Sequence, residues 1–325
     1  MRGVSRGANR VYRRLTRNSS IVLAFVLAFV MFVGTSLAAS GFASGSNIRY
    51  LLVAATFIGV VGLGQTFVVL GGGVDLSIPY TLTAVALLTS YWSKGQDAGL
   101  WWMIPVALAL AALIGVANGI GVALLGVSPI IMTLGMNVIV EGGLLAYLNG
   151  QEVGTAPPFL NAVTQGSVGP VPIPVLIWLG LAAVATVVLT TMTYGRRLYA
   201  VGTNRTVAEL SGIRSSTVLL APYVVSALTA GVAGLLLTGY TGQAYLGMGD
   251  PYLFASVAAV AVGGASLLGG SGHYIGTIGG ALVLTVLAGL LPVLNVSLGW
   301  VDIIYGGMIL ITVFLASVRK GRDET

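Results

Sequence analysis

Charge is what this sequence has least of. Asp, Glu, Lys and Arg together make up 7% of its 325 residues, where a soluble domain carries about a quarter. Too few polar groups remain to cover a folded surface in water, and the mean hydropathy of +0.97 says the same. Something apolar must surround the fold, and that is a lipid bilayer. Cysteine is absent, which excludes disulfides, thiolate nucleophiles and Cys-ligated metals. His273 is the single histidine, so His-rich metal sites are excluded and His-based catalysis has almost no material. Beside glycines, it reads as a loop or helix-end residue. The two lysines, Lys94 and Lys320, stand outside any Gly-rich loop ending in Lys-Ser/Thr, so the chain cannot hold ATP by that route. The reading is of a non-enzyme with no catalytic residue, no metal ligands and no cofactor of its own. The net charge of +6 could suggest nucleic acid. The basic residues cluster instead at membrane-flanking positions, where they orient a chain, and no nucleic-acid partner is expected.

What the sequence has in abundance is apolar runs of spanning length. They fall at 20–39, 50–70, 76–93, 101–125, 129–149, 173–193, 217–239, 252–268, 274–294 and 300–318, and about 20 apolar residues suffice to cross the hydrocarbon core. The expected fold is an all-α polytopic membrane protein with about ten transmembrane helices. Residues 1–19 form a basic cytoplasmic tail, 20–318 a single transmembrane domain, and 319–325 a second cytoplasmic tail. The first run needs a check. Arg2, Arg6, Arg10, Arg13, Arg14 and Arg17 precede Ile21–Val33, and Ser36-Leu37-Ala38 resembles a cleavage site, the layout of a secretory signal peptide. The apolar stretch continues to Ala39, long enough to span, and is read as an uncleaved first helix. With the N-terminus inside, ten crossings return the C-terminus to the same side. Thirteen of the 15 basic residues then lie inside: the six N-terminal arginines, Arg196, Arg197, Arg205, Arg214, Arg319, Lys320 and Arg322. Arg49 and Lys94 lie outside, as the positive-inside rule requires. The expected location is the inner or plasma membrane, with both termini cytoplasmic.

Two breaks interrupt the apolar pattern: Leu70-Gly-Gly-Gly-Val-Asp75-Leu-Ser-Ile-Pro79 and Tyr240-Thr-Gly-Gln-Ala-Tyr-Leu-Gly-Met-Gly-Asp250-Pro251. Each sets glycines before an aspartate, then a proline and a new apolar run. The segments 50–149 and 217–318 then form two inverted four-helix halves with broken helices, a recurrent transporter design; the alternative is that Gly and Pro simply end helices at the surface. Asp75 could shape a gate or cap the following helix. Glu141, with Asn137 one turn earlier on the same face, could line a polar passage or make a polar helix–helix contact. Asp250 and Asp302 are read as interfacial. The polar stretch 194–216 lies inside, and within it Thr206–Ser211 could form a short helix capped by Asn204, a grip for another protein.

At this point the residues resemble a known family. Gly72-Gly73-Val74-Asp75-Leu76-Ser77-Ile78 resembles the signature of ribose-type (monosaccharide) ABC importer permeases. Gly41–Ile48 is similar to that family's entry to its second helix, Ala200–Ile213 to its cytoplasmic coupling loop, and Val262–Gly280 to its late Gly-rich stretch. The resemblance covers roughly 40–318. It implies a permease working as a homo- or heterodimer. It implies two cytoplasmic ATP-binding subunits, or one fused tandem ATPase, holding the ATP and Mg. It also implies an extracytoplasmic solute-binding protein. Carried over, it places Asp75 and its glycines, Gly72 and Gly73, by the substrate pathway, and Ser77, Tyr80, Asn137 and Glu141 join them as candidates read from this sequence itself. It places Asn204, Arg205, Ala208, Glu209, Leu210, Ser211 and Gly212 at the ATPase contact. The sequence departs from the pattern at Ile78-Pro79-Tyr80 and at Glu141, where relatives resemble Val-Gly-Ser and an Arg, which leaves the solute within the sugar class open. An ion-coupled secondary carrier of a small polar solute is the alternative, since Asp75 and Glu141 are intramembrane acids.

Overall fold

A computed structural model describes the backbone of residues 4–150, 153–294, 296 and 299–323. Side chains of 4–19, 312, 313 and 315–323 are outside the described set, so the basic clusters of both tails fall outside it too. The helices are α1 (Val4–Ala38), α2 (Gly45–Leu70), α3 (Ile78–Ser93), α4 (Leu100–Ala123), α5 (Pro129–Tyr147), α6 (Pro158–Gln165), α7 (Ile173–Thr190), α8 (Thr193–Thr203), α9 (Arg205–Leu210), α10 (Ser215–Thr241), α11 (Tyr252–Val262), α12 (Tyr274–Val293) and α13 (Gly299–Asp323). The fold is all-helical, and each apolar run coincides with one helix. Among the described residues, seven helices are long and apolar enough to cross a membrane: the Ser20–Ala38 part of α1, α2, α4, α5, α7, α10 and α12. α3 has 16 residues and α11 has 11, about 24 and 16 Å at 1.5 Å per residue. Neither covers a hydrocarbon core of about 30 Å alone. Both follow one of the two breaks. The eighth run ends at Val262, where Gly264, at φ +85°, turns the chain out of the helix, and Gly263 packs so close to the Gly276 backbone that a Cβ there would meet its carbonyl carbon at 2.4 Å.

The halves pack in matching fashion. α2 lies against α11 and α12 as α10 lies against α3 and α4, and α2 and α10 lie against each other. Small residues make the approach possible. Gly115 and Gly119 of α4 face the α10 backbone at Tyr223 and Leu220, and Gly276 and Gly280 of α12 face the backbone of Gly263 and Ala259. The same four-residue spacing thus sits in each half. Without a hydrophobic drive between helices inside lipid, such close van der Waals packing is what holds a bundle together. α2 is almost wholly buried. The periphery carries the exposed apolar residues, including Phe29, Leu113, Ile139, Val184 and Leu310, which suits a hydrocarbon surround. α1 belongs to this packing, with Gly279 of α12 against Ala24.

The connections sort onto two faces. On one, β1 (Val153–Thr155) pairs antiparallel with β4 (Gln243–Tyr245), Gly154 opposite Ala244. There Arg49 Nη2 donates to the Gln165 carbonyl at 2.6 Å, and Phe159 N–H donates to Asp97 Oδ1 at 2.8 Å. A second small pair, β2 (Ser167–Val168) with β3 (Val171–Pro172), closes the same connection. On the opposite face α8 and α9 meet the α4–α5 turn, where Arg205 Nη2 donates to the Ala123 carbonyl at 3.4 Å. Arg196, Arg197, Arg205 and Arg214 belong to this second face, and Arg49 and Lys94 to the first.

Candidate functional site

The first break is a short unwound segment tied to three helices. Gly72 takes φ +85° as α2 ends, a conformation that costs an L-residue about 1–2 kcal/mol and glycine nothing. Unwound backbone inside a membrane must find partners within the protein, and here it does. Asp75 N–H donates to Gln65 Oε1 of α2 at 3.3 Å, Leu76 N–H to Thr133 Oγ1 of α5 at 3.0 Å, and Tyr80 N–H to Asn137 Oδ1 of α5 at 3.3 Å. Asp75 does not cap α3. The N-cap residue is Ser77, and Asp75 Oδ1 accepts from Ser77 N–H at 2.9 Å and Ser77 Oγ at 2.7 Å. Asp75 stands two residues before the cap position, so its carboxylate closes a local turn instead. Asn118 Nδ2 of α4 then donates to Ser77 Oγ at 2.8 Å. Asp75 is 1% exposed.

The expected pathway residues separate into neighbouring groups. Asp75 and Ser77 are buried between α2, α4, α5 and α10. Tyr80, Asn137 and Glu141 form a clasp nearer the surface of α5, where Tyr80 Oη donates to Glu141 Oε1 at 2.7 Å. Asn137 and Glu141, one turn apart, thus hold the backbone and the hydroxyl of the same residue, so their shared face makes an interhelical contact. Gly72 and Gly73 line a cavity of about 270 Å³ with Gly71, Arg205, Ser128 and Tyr223, on the α8–α9 face. Breaking the clasp is a direct test. Tyr80→Phe and Glu141→Gln should each lower stability by about 0.5–1.5 kcal/mol, and the double variant by less than the sum. Strictly additive losses in thermal unfolding would show that the bond carries no weight.

The second break reaches the first turn of α3. Gly249 N–H donates to Thr83 Oγ1 at 3.2 Å, and a Cβ on Gly249 would lie 2.1 Å from the Pro79 carbonyl oxygen. Asp250 is therefore set beside the head of α3, a placement that reading it as an interfacial residue missed. Also missed were Gln65, Asn118, Tyr223 and Ser226. Their signal was present as polar side chains inside otherwise apolar runs, but nothing in one helix shows which way a polar residue faces.

The polar stretch forms two helices rather than one. α9 is the expected short helix, with Asn204 Oδ1 accepting from Val207 N–H at 3.0 Å. Gly212, at φ +80°, closes it with its N–H donating to the Glu209 carbonyl at 2.9 Å and Ile213 N–H donating to the Ala208 carbonyl at 3.0 Å. This is glycine's usual role at a helix end. Ala208 is buried, whereas Val207 is 57% and Leu210 84% exposed. Ala208 therefore faces its own protein, and an apolar tip formed by Val207 and Leu210 faces away. Arg205 Nε donates to Glu209 Oε1 at 3.0 Å and to Ser215 Oγ at 3.1 Å, and Ser215 Oγ donates to Glu209. Hydrogen bonds from Ser215 and then Arg205 hold the Glu209 carboxyl below its ordinary range. A depressed folded-state value means that this knot is intact at neutral pH and is lost as pH falls through and below the usual carboxylate range. Hydrogen exchange over 205–215 should accelerate on that acidification, and Glu209→Gln should remove the pH dependence. α8 carries Leu198 and Val201 inward and its two arginines outward. Gly202 fits against the first break, where a Cβ would lie 1.9 Å from the Leu70 carbonyl oxygen and 2.7 Å from Gly270 N. Gly270 N–H donates to that same Leu70 carbonyl at 3.0 Å.

Two bundles of matching build, each a long helix, a break and a short helix, with polar side chains gathered at the breaks, define a multi-pass membrane transport protein. Residues 47–313 match the family described as branched-chain amino acid transport system / permease component, and the chain belongs to that family. It is 29% identical to the ribose import permease of Haemophilus influenzae over 87% of this chain and 88% of that protein. It is 31% identical to the D-allose transport system permease of Escherichia coli, over 86% of each. It is also 31% identical to the galactose/methyl galactoside import permease of Salmonella typhimurium, over 87% of this chain and 90% of that protein. The resemblance to ribose-type ABC permeases read from the motifs is thereby borne out. No solved structure matches the chain.

Proposed function

We propose that this chain is the permease subunit of an ATP-binding-cassette importer that carries a monosaccharide or sugar-like solute into the cell. The observation that carries the reading is the connection from α9 to the first break. An exposed apolar tip, Val207 and Leu210, stands on a helix pair whose Gly202 is seated on the Leu70 carbonyl beside Gly71–Gly73. A partner that moved the tip would move the break. The α8–α9 face, with its four arginines, is the cytoplasmic one by the positive-inside rule, and both termini lie there. Two cytoplasmic ATP-binding subunits, or one tandem ATPase, would dock on the exposed residues of α9 and its cap. The contacts would be Asn204, Arg205, Glu209, Leu210, Ser211 and Gly212, with Ala208 supporting from inside. ATP and Mg belong to that partner.

A second permease copy or homologue and an extracytoplasmic binding protein complete the assembly. Gly72, Gly73, Asp75, Ser77, Tyr80, Asn137 and Glu141 border the solute's route. The relatives named above are sugar permeases, and this favours a sugar over the amino acids that the family description mentions. ATP binding in the partner would shift the population between outward- and inward-open states through its differential affinity for them.

One observation favours a second reading, an ion-coupled carrier: Asp75 is a buried carboxylate with no basic hydrogen-bond partner among the described residues. Purification from native membranes through a C-terminal tag, followed by reconstitution, separates the two. The importer reading expects a stoichiometric ATP-binding subunit, and ATP-dependent uptake that survives collapse of proton and sodium gradients. A chain that emerges alone in several mild detergents and moves solute in ATP-free liposomes sinks it.

A further inference from the structure

The carboxylate of Asp75 lies among polar atoms that have no partner. Oδ1 is taken by Ser77, but Oδ2 is buried and accepts nothing. Gln65 Nε2, Asn118 Oδ1, Tyr223 Oη and Ser226 Oγ are likewise buried and unpaired. Their residues are between 0% and 3% exposed, and they come from α2, α4 and α10. A chain of contacts links their residues to Asp75. Gln65 holds the Asp75 backbone, and Asn118 reaches the Ser77 hydroxyl that is bonded to the Asp75 carboxylate. Ser226 lies beside the same carboxylate, outside good hydrogen-bond geometry. Tyr223, one turn before Ser226, brings its hydroxyl within 2.5 Å of where a Gly73 Cβ would stand. Among these neighbours, α2, α4, α5 and α10 offer Gln65, Asn118, Thr133, Tyr223 and Ser226, none of them cationic. The basic side chain on the adjoining cavity, Arg205, is paired with Glu209.

We propose that Asp75 Oδ2, Asn118 Oδ1, Ser226 Oγ and Tyr223 Oη form an occluded binding site for one small monovalent metal cation of the sodium type. The ligand set decides the class. All four atoms are hard oxygens, which suit alkali and alkaline-earth ions. A single carboxylate balances a single positive charge, whereas a divalent ion would call for more. A water molecule would answer hydrogen bonds but leave the carboxylate uncompensated at a depth where that is costly. A proton on Oδ2 would supply the charge but leave most of the other oxygens without a partner. The bound ion would pin the first break to α4 and α10, holding the unwound segment in this conformation. The site stands on these side chains alone and does not depend on the import reading.

The test uses the full chain, purified and exchanged into choline chloride at fixed pH, with sodium chloride titrated in at constant ionic strength. Thermal unfolding followed by tryptophan fluorescence should show a saturable rise in Tm with sodium, a weaker one with potassium and none with choline. Ser226→Ala and Tyr223→Phe, both conservative, should each raise the half-saturating sodium concentration about tenfold, as loss of a coordinating or supporting group does. Asp75→Asn should abolish the response. If that variant does not fold, the two conservative ones and equilibrium binding of radioactive sodium to the wild type carry the test. Coincident sodium and choline curves would overturn the proposal. So would half-saturation untouched in both conservative variants, or a stability that follows pH and ignores sodium. The readout is binding rather than uptake, so failure of the importer reading would leave it unaffected.

Discussion

Gly202→Val is expected to cut uptake at least tenfold while leaving the chain in the membrane. Any Cβ at this position would fall 1.9 Å from the Leu70 carbonyl oxygen and 2.7 Å from Gly270 N. Both obstacles are backbone, so no side chain can turn aside. α8 must lift off the end of α2, at a cost of about 3 kcal/mol or more, which shifts a docked–undocked equilibrium about a hundredfold. The loss falls on the connection between α9 and the first break, not on the lipid-facing bundle. ATP hydrolysis by the assembled transporter should therefore persist while solute uptake drops by tenfold or more. Gly180→Ala is the control. Gly180 sits in exposed α7 with nothing within 4 Å of its Cβ position, so the substitution should leave stability unchanged or slightly raised, since alanine is the better helix former. Wild-type uptake by the Gly202→Val protein would show that α8 does not transmit motion to the break.

Leu210→Asp carries the second large effect, this time on assembly. Leu210 is 84% exposed at the end of α9 beside exposed Val207, and it touches little of its own protein, so its replacement should not disturb the fold. If an ATP-binding subunit buries it, about 1.5–3 kcal/mol of transfer free energy is lost, which is roughly a tenfold to hundredfold weaker association. A buried unpaired carboxylate adds to that penalty. The ATPase should wash off during tag purification, and ATP-dependent uptake should fall with it. Leu124→Asp provides a comparison, because Leu124 is an exposed apolar residue on the same face, at the α4–α5 turn. Equal loss from both would mean that a general change in surface polarity, not a docked α9, is responsible.

The extent to which the sequence disclosed this arrangement differs from element to element. Each apolar run became a helix, most within a few residues of their expected ends, although α1 begins at Val4 and α11 ends at Val262, because the need to satisfy every backbone group inside lipid leaves a continuous apolar stretch little choice but to be helical. Asn204 announced α9, since an Asn cap followed by helix formers is a local device. α8 was not announced. Gly195, Gly202 and two adjacent arginines make it look like loop, and it is helical because Leu198 and Val201 dock into the core around Leu70 and Tyr274. α3 and α11 lie in runs that read as spans, because hydropathy does not show that the helix within each is only 16 or 11 residues long.

At the site, Glu141 and Asn137 could be read as sharing a face, yet that spacing did not reveal that both would close on Tyr80, whose position is set by a different helix. Asp75 looked like a cap because it precedes a helix. It is instead two residues early, turned into a space that Gln65, Asn118, Tyr223 and Ser226 complete from α2, α4 and α10.

The sequence by itself determined the solvent, the helices and the family. Hydropathy demands lipid, and the motif order from Gly41 to Gly280 is a property of the chain read end to end. Only the tertiary structure decided which polar side chains meet. A polar residue within an apolar helix has a direction only once its neighbours are in place, and here the neighbours lie from about 10 to 150 residues away along the chain. The glycines follow the same division. Their abundance was visible from the start, but whether one is a hinge, a seat for another helix or merely lipid-facing depends on the atom that would meet its missing Cβ. For Gly202 that atom is a carbonyl oxygen of α2, and for Gly180 it is nothing at all.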